Sequence, residues 1–112
     1  HIVDSRWEAD IDQRLAKRVP EHQREPKQFE IDGGHYWPDF RVDDIIIEVK
    51  GIQREEMLDS AIHKAKSFRE RNPELSYVVI GDKDSNEIPC DKWFNYQSER
   101  SEAINWVRDQ NQ

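Results

Sequence analysis

Six consecutive residues constrain the fold more than any others: Ile45-Ile46-Ile47-Glu48-Val49-Lys50. Three β-branched residues in a row put apolar side chains on both faces of an extended strand, as happens at the centre of a sheet covered on both sides. Upstream, Trp7, Ile11 and Leu15 recur every four residues and predict a first helix closed by Pro20. Ser5-Arg6-Trp7-Glu8 has the spacing of a capping box at its start. Phe29 and Ile31 then alternate with Gln28, Glu30 and Asp32, which predicts a strand, and Gly33-Gly34 supplies a tight turn into a second strand over 36–42. After Gly51 the period changes. Met57, Leu58, Ala61, Ile62, Ala65 and Phe68 share one helical face that stops near Asn72-Pro73, and 75–80 reads as another buried strand. A turn-rich stretch over 81–89 precedes a last helix carrying Ile104, Trp106 and Val107, capped by Ser98 or Ser101. The expected fold is α/β: an αβββαβ core with a four-stranded mixed sheet flanked by helices, plus a C-terminal helix.

Residues 1–112 suit one domain, with a common core at about 4–80 and a C-terminal extension over 81–112. Ile, Leu, Val and Phe supply 25 of the 112 residues, enough for a thin core that four Trp and three Tyr enlarge. The formal charge of −7 argues against a nonspecific nucleic-acid coat, which normally carries a basic surplus. No apolar run approaches the roughly 18 residues of a membrane span, and no signal peptide opens the chain. One cysteine, Cys90, excludes an internal disulfide and any multi-cysteine zinc site. The expected setting is cytoplasmic and nucleoid-associated, with no membrane partner. A start at His1 rather than Met fits a domain taken from a longer chain.

The chemistry gathers at 38–51. If Asp43-Asp44 are the central residues of a hairpin turn, Val42 faces Ile45, Arg41 faces Ile46, Phe40 faces Ile47 and Asp39 faces Glu48. Lys50, two residues beyond Glu48, joins the same face, although a bulge would shift this register. Directly opposed carboxylates repel, and a divalent cation is one compensator. Mg²⁺ takes one or two carboxylates and fills its remaining positions with waters and substrate phosphates. Two acids, Mg²⁺ and a lysine suit phosphodiester hydrolysis, with the lysine serving the attacking water or the phosphate charge. The bland alternative is a solvated hairpin face on which Lys50 pairs with Asp39 or Glu48.

In these residues the chain resembles the PD-(D/E)XK, or restriction-endonuclease-like, nuclease superfamily. Pro38-Asp39 matches the PD motif, Glu48-Val49-Lys50 matches (D/E)XK, and the expected element order is similar to that family's common core. The resemblance implies metal-dependent DNA cleavage leaving a 5′-phosphate. Asp39, Glu48 and the Val49 carbonyl would ligate Mg²⁺ (or Mn²⁺), and Lys50 would serve the water. Ser5-Arg6-Trp7-Glu8 is similar to the first helix of transposon-end and very-short-patch-repair-like endonucleases, which makes Glu8 a further acid; Asp12 or Asp4 lies one turn away on the same face. Glu-Val-Lys stands where the mismatch-repair type has a histidine-rich site, which points away from nicking at mismatches. The implied roles are DNA repair or recombination. A homodimer or fusion to a larger recognition protein is expected, because double-strand cutting needs two sites. The alternatives are a binding module for nucleic acid or protein on the same fold, and a ribonuclease.

Other candidates are weaker. His1, His22, His35 and His63 show no metal-ligand spacing, and Cys90 has no catalytic context. Lys64 is the one cation of the crossover helix expected to contact phosphate; Arg6, Arg14, Lys17 and Arg18 form a second basic strip on the first helix. Trp93, Phe94 and Trp106 are expected to form one cluster that closes the sheet.

Overall fold

The computed structural model describes residues 2–51 and 55–110, with side chains described from Arg6 onward. Helix α1 (Ile2–Arg18) is followed by β1 (Gln23–Arg24), β2 (Phe29–Ile31), β3 (Gly34–Tyr36), β4 (Phe40–Val42) and β5 (Ile45–Lys50). Helix α2 (Glu55–Arg71) crosses to β6 (Ser76–Gly81); a 3₁₀ turn (Lys83–Glu87), β7 (Lys92–Asn95) and α3 (Tyr96–Gln110) complete the chain.

Strand β5 is central, as its three isoleucines require. The main sheet has the order β1-β4-β5-β6-β7, antiparallel from β1 through β5 and parallel from β5 through β7. One face carries Ile45, Ile47, Val49, Val78 and Ile80 against Ile11 and Leu15 of α1 and Ala103, Ile104 and Val107 of α3. The other carries Ile46, Tyr77 and Val79 against Ala61, Ala65 and Phe68 of α2. This is a mixed α/β fold with a sheet flanked by helices and a C-terminal helix. Phe94 and Tyr96 also enter the first core cluster, so the segment after residue 80 is part of the core.

The expected four-stranded sheet is corrected in three places. The main sheet has five strands, and the Gly33-Gly34 hairpin (β2–β3) forms a sheet of its own. The predicted strand over 36–42 is broken because Pro38 has no N–H to donate. The hairpin folds onto α2 instead: Phe29 packs edge-on against Phe68 at 5.0 Å, and the Asp32 N–H donates to Ser67 Oγ at 2.8 Å. Its place at the edge of the main sheet is taken by the two residues of β1, too short for periodicity to reveal.

Local caps also differ from expectation. Helix α1 begins at Ile2, so Ser5 stands inside the helix and not at its cap. Asn95, and neither Ser98 nor Ser101, caps α3: its Oδ1 accepts the N–H groups of Gln97 (2.9 Å) and Ser98 (3.2 Å). Trp93 and Phe94 are consecutive on β7 and face opposite sides, so the expected three-residue cluster divides. Phe94 meets Trp106 at 6.1 Å, whereas Trp93 packs in the α2-side cluster and donates to Ser85 Oγ at 2.8 Å.

Candidate active site

The hairpin arithmetic holds at three pairs: Phe40 faces Ile47, Arg41 faces Ile46 and Val42 faces Ile45. Asp43, at φ 54°, makes the turn. Asp39 lies one residue beyond this ladder. Its Oδ2 accepts the Val49 N–H at 2.7 Å, and its backbone carbonyl accepts the Glu25 N–H at 2.8 Å. The short β1 edge and the central strand together fix Asp39 at the end of the hairpin.

Glu48 is only 5% exposed, and a buried carboxylate is costly unless donors surround it. The Tyr36 hydroxyl donates to its Oε1, and Lys50 Nζ lies 3.4 Å from its Oε2. The Tyr36 and Tyr77 hydroxyls are 3.0 Å apart. Burial, and after it the Glu48 charge, pushes both phenols well above their ordinary range, so they remain protonated donors. Gly81 sits opposite Lys50 in the parallel ladder; a Cβ there would collide with the Lys50 carbonyl and Ser85 Oγ. Only glycine lets β6 run this close to the lysine.

Asp39 behaves differently. Burial first, then the charge of Glu48, pushes its carboxyl up to about 10; the Val49 N–H opposes the shift, and Glu8 adds to it through charge and a hydrogen bond. Two carboxyls can share a hydrogen bond only when one of them holds a proton. Asp39, Glu48 and Glu8 are thus electrostatically coupled, with Glu8 delivered by α1, and the metal-free cluster retains a proton at neutral pH.

The donor set is all oxygen, which suits Mg²⁺ or Mn²⁺ rather than a soft metal. Among the described residues, no group of three or more His, Cys, Asp or Glu side chains is arranged to hold a metal ion by itself. Mg²⁺ does not need three, since one or two carboxylates suffice and each offers about four acceptor sites. Asp39 and Glu48 retain acceptor capacity after their protein hydrogen bonds, so the pair fits such an ion.

The remaining candidates divide clearly. Asp12 is engaged elsewhere: His22 Nε2 lies 2.7 Å from its Oδ1, and Arg24 Nη1 donates to its Oδ2 at 3.5 Å. The Asp4 side chain lies outside the described residues. Lys64 is exposed on α2, nine residues after its first, which is about 13 Å along the axis. His63 lies against the Asp32 carbonyl at 3.3 Å, and burial pushes the Cys90 thiol up and keeps it unreactive. Sequence reasoning missed Tyr36 and Tyr77. Tyr36 alternates with exposed His35 and Trp37, which marks it as inward-facing, but nothing local shows that it meets Glu48.

In comparisons with known proteins, no family model, no curated protein and no solved structure matches this chain. No helix of the described residues is long and apolar enough to cross a membrane.

Proposed function

We propose that this chain is a divalent-metal-dependent nuclease domain of PD-(D/E)XK type that hydrolyses DNA phosphodiesters. The observation that carries the reading is a buried Glu48 paired with Lys50, coupled to Asp39 and Glu8, at the end of the central hairpin. The order of the main sheet supports the same reading. With the β2–β3 hairpin set aside, a helix, three antiparallel strands, a crossover helix and a parallel strand succeed one another, and β7 adds a fifth strand.

Asp39 and Glu48 would hold Mg²⁺ or Mn²⁺, with the Val49 carbonyl and Glu8 completing the protein's share. When bound, the ion supplies Lewis-acid activation of the phosphodiester. The Tyr36 hydroxyl fixes Glu48 in one orientation, and the Val49 N–H does the same for Asp39. Lys50 orients the attacking water and offsets phosphate charge. Water adds to phosphorus, the bond from phosphorus to the 3′ oxygen breaks, and the products are a 5′-phosphate and a 3′-hydroxyl. Such a domain would work inside the cell beside DNA, in repair or recombination, as a homodimer or fused to a larger recognition protein.

Incubation of supercoiled, linear and four-way-junction DNA with Mg²⁺ or Mn²⁺, with RNA in parallel, tests the reading. Cleavage is expected to vanish in folded Asp39→Ala and Lys50→Ala proteins; unchanged cleavage in both would falsify it. A binding module is the second reading, favoured by the fact that Tyr36 and Lys50 already occupy both oxygens of Glu48. Calorimetric titration with Mn²⁺ separates the two, because a module that only binds has no use for the ion.

A further inference from the structure

The exposed large apolar side chains among the described residues are Trp37, 61% exposed, and Met57, 42% exposed. Trp37 adjoins the carboxylate cluster, next in the chain to Tyr36, whose hydroxyl donates to Glu48. Trp37 precedes Asp39 by two residues, and Met57 lies in the first turn of α2, the helix that follows Lys50. An indole is among the largest apolar surfaces a side chain can present, and leaving it in water is unfavourable.

Alternation along one short segment explains the placement. Tyr36 turns inward to Glu48, so its neighbours His35 and Trp37 turn outward, and both are exposed. Their ring centroids are 6.2 Å apart with planes inclined at 50°, an open wedge. Buried Pro38 follows directly and restricts Trp37 to extended backbone, so the main chain that carries the indole has little freedom to lose. Residues 35–39 therefore supply two groups to the carboxylate cluster and two aromatic rings to its rim. Trp37 and Asp39 are two residues apart, at most about 7 Å along the chain, a span that one nucleotide of an unstacked strand covers.

Charge points the same way. With 17 cations against 24 acids, phosphate attraction alone is a weak source of affinity. Base–aromatic stacking adds affinity without net charge and tolerates any sequence. A base within a duplex is already stacked on both sides and can reach an indole only by leaving its partner.

We infer that Trp37, with His35 beside it, is a stacking platform for an unpaired nucleobase next to the scissile phosphate, so that the substrate carries an unpaired nucleotide at the cleavage point. This rests on the nuclease reading and adds its substrate class: single strands, flaps and branched ends in preference to continuous duplex.

Fluorescence anisotropy of labelled oligonucleotides tests it in a Lys50→Ala background, where binding is read without cleavage and circular dichroism checks the fold. A strand with unpaired nucleotides is expected to bind ~10-fold more tightly than blunt duplex of the same length. Trp37→Ala should erase that preference while leaving duplex affinity in place, and Trp37→Phe should retain most of it. The loss caused by Trp37→Ala should be nearly the same at low and moderate salt, because stacking releases few counterions. Equal affinity of the parent for both oligonucleotides, or an undiminished preference in Trp37→Ala, overturns this inference alone. Failure of the parent to bind any oligonucleotide overturns the nuclease reading with it.

Discussion

Two carboxylates in this molecule, Asp10 and Asp39, start from the same chemistry and end at opposite extremes. Asp10 lies in the groove between α1 and α3, a concavity of about 320 Å³ that Arg14, Lys17 and Arg18 also line. Burial pushes its carboxyl up, but a hydrogen bond from Tyr96 at 2.7 Å, the Arg14 guanidinium at 3.0 Å and Arg100 at 3.7 Å together draw it below the usual range. Asp39 has one backbone donor and two acidic neighbours, and its carboxyl rises to about 10. Among the described residues, cations stand beside the first acid, whereas the charges of Glu48 and Glu8 act on the second. A fully compensated acid holds helices together. A carboxyl raised by acidic neighbours would return to its charged form if a ligand brought positive charge to it.

The largest expected effect separates these roles directly. Asp39→Asn keeps an oxygen to accept the Val49 N–H but loses the charge, so cleavage should fall about 10³-fold or more. The same substitution removes the cost of protonating Asp39 on folding, and the metal-free protein should melt roughly 5 °C higher at pH 8. Asp10→Asn should do the reverse: cleavage within about twofold of the parent, and a lower melting temperature. Parallel behaviour of the two variants would remove the distinction.

Their pH dependences should have opposite slopes. Between the ordinary carboxyl value of 3.8 and about 10, folded Asp39 holds a proton that the unfolded chain has released. Its contribution to the stability of the metal-free protein is therefore fully present below about 4 and lost as pH rises toward 10. Asp10 has a lowered value, so its contribution is present above 3.8 and disappears as pH falls. Thermal melts from about pH 2 to 9 should show Asp39→Asn flattening the alkaline limb and Asp10→Asn the acid limb below 3.8. Saturating Mn²⁺ should flatten the alkaline limb of the parent and leave the acid limb unchanged.

Tyrosine hydroxyls serve both sites, and their removal gives the next smaller contrast. Tyr36→Phe leaves the buried Glu48 Oε1 without its donor, at a cost of about 1.5–3 kcal/mol in chemical denaturation. Tyr96→Phe strips one of several donors from the more accessible Asp10 and should cost about 1 kcal/mol or less. Equal losses would mean that Glu48 has solvent or another donor within reach.

What was legible in the sequence follows the range of the forces involved. The β4–β5 pairing could be derived because a two-residue turn and a period of two determine it locally, and all three ladder pairs agree. Lys50 beside Glu48 followed from the same alternation. The β2–β3 hairpin was legible as a hairpin, but its detachment from the main sheet depends on Pro38 and on side chains of α2 that are distant in sequence. Tyr36 and Tyr77 meet across 41 residues, and no local pattern tells a core tyrosine from one that holds a carboxylate. Glu8 was open to two local readings, a capping-box residue or an acid of the site; α1 starts three residues before Ser5, which removes the first, and Glu8 acts on Asp39.

Lys64 gives the smallest effect and extends the comparison beyond the carboxylates. It is exposed near the middle of α2, the helix that follows Lys50 in the chain. If α2 lies along bound nucleic acid, Lys64→Ala should weaken binding less than about threefold at moderate salt and lower the slope of log affinity against log salt by about one. Lys17→Ala, in the groove beside Asp10, should leave that slope unchanged. Equal slopes in both variants would make Lys64 a solvated charge and confine nucleic acid to the rim defined by Trp37 and Asp39. A lowered slope for Lys17 instead would transfer the basic surface to the α1–α3 groove, and Asp10 would then be the acid that shapes it.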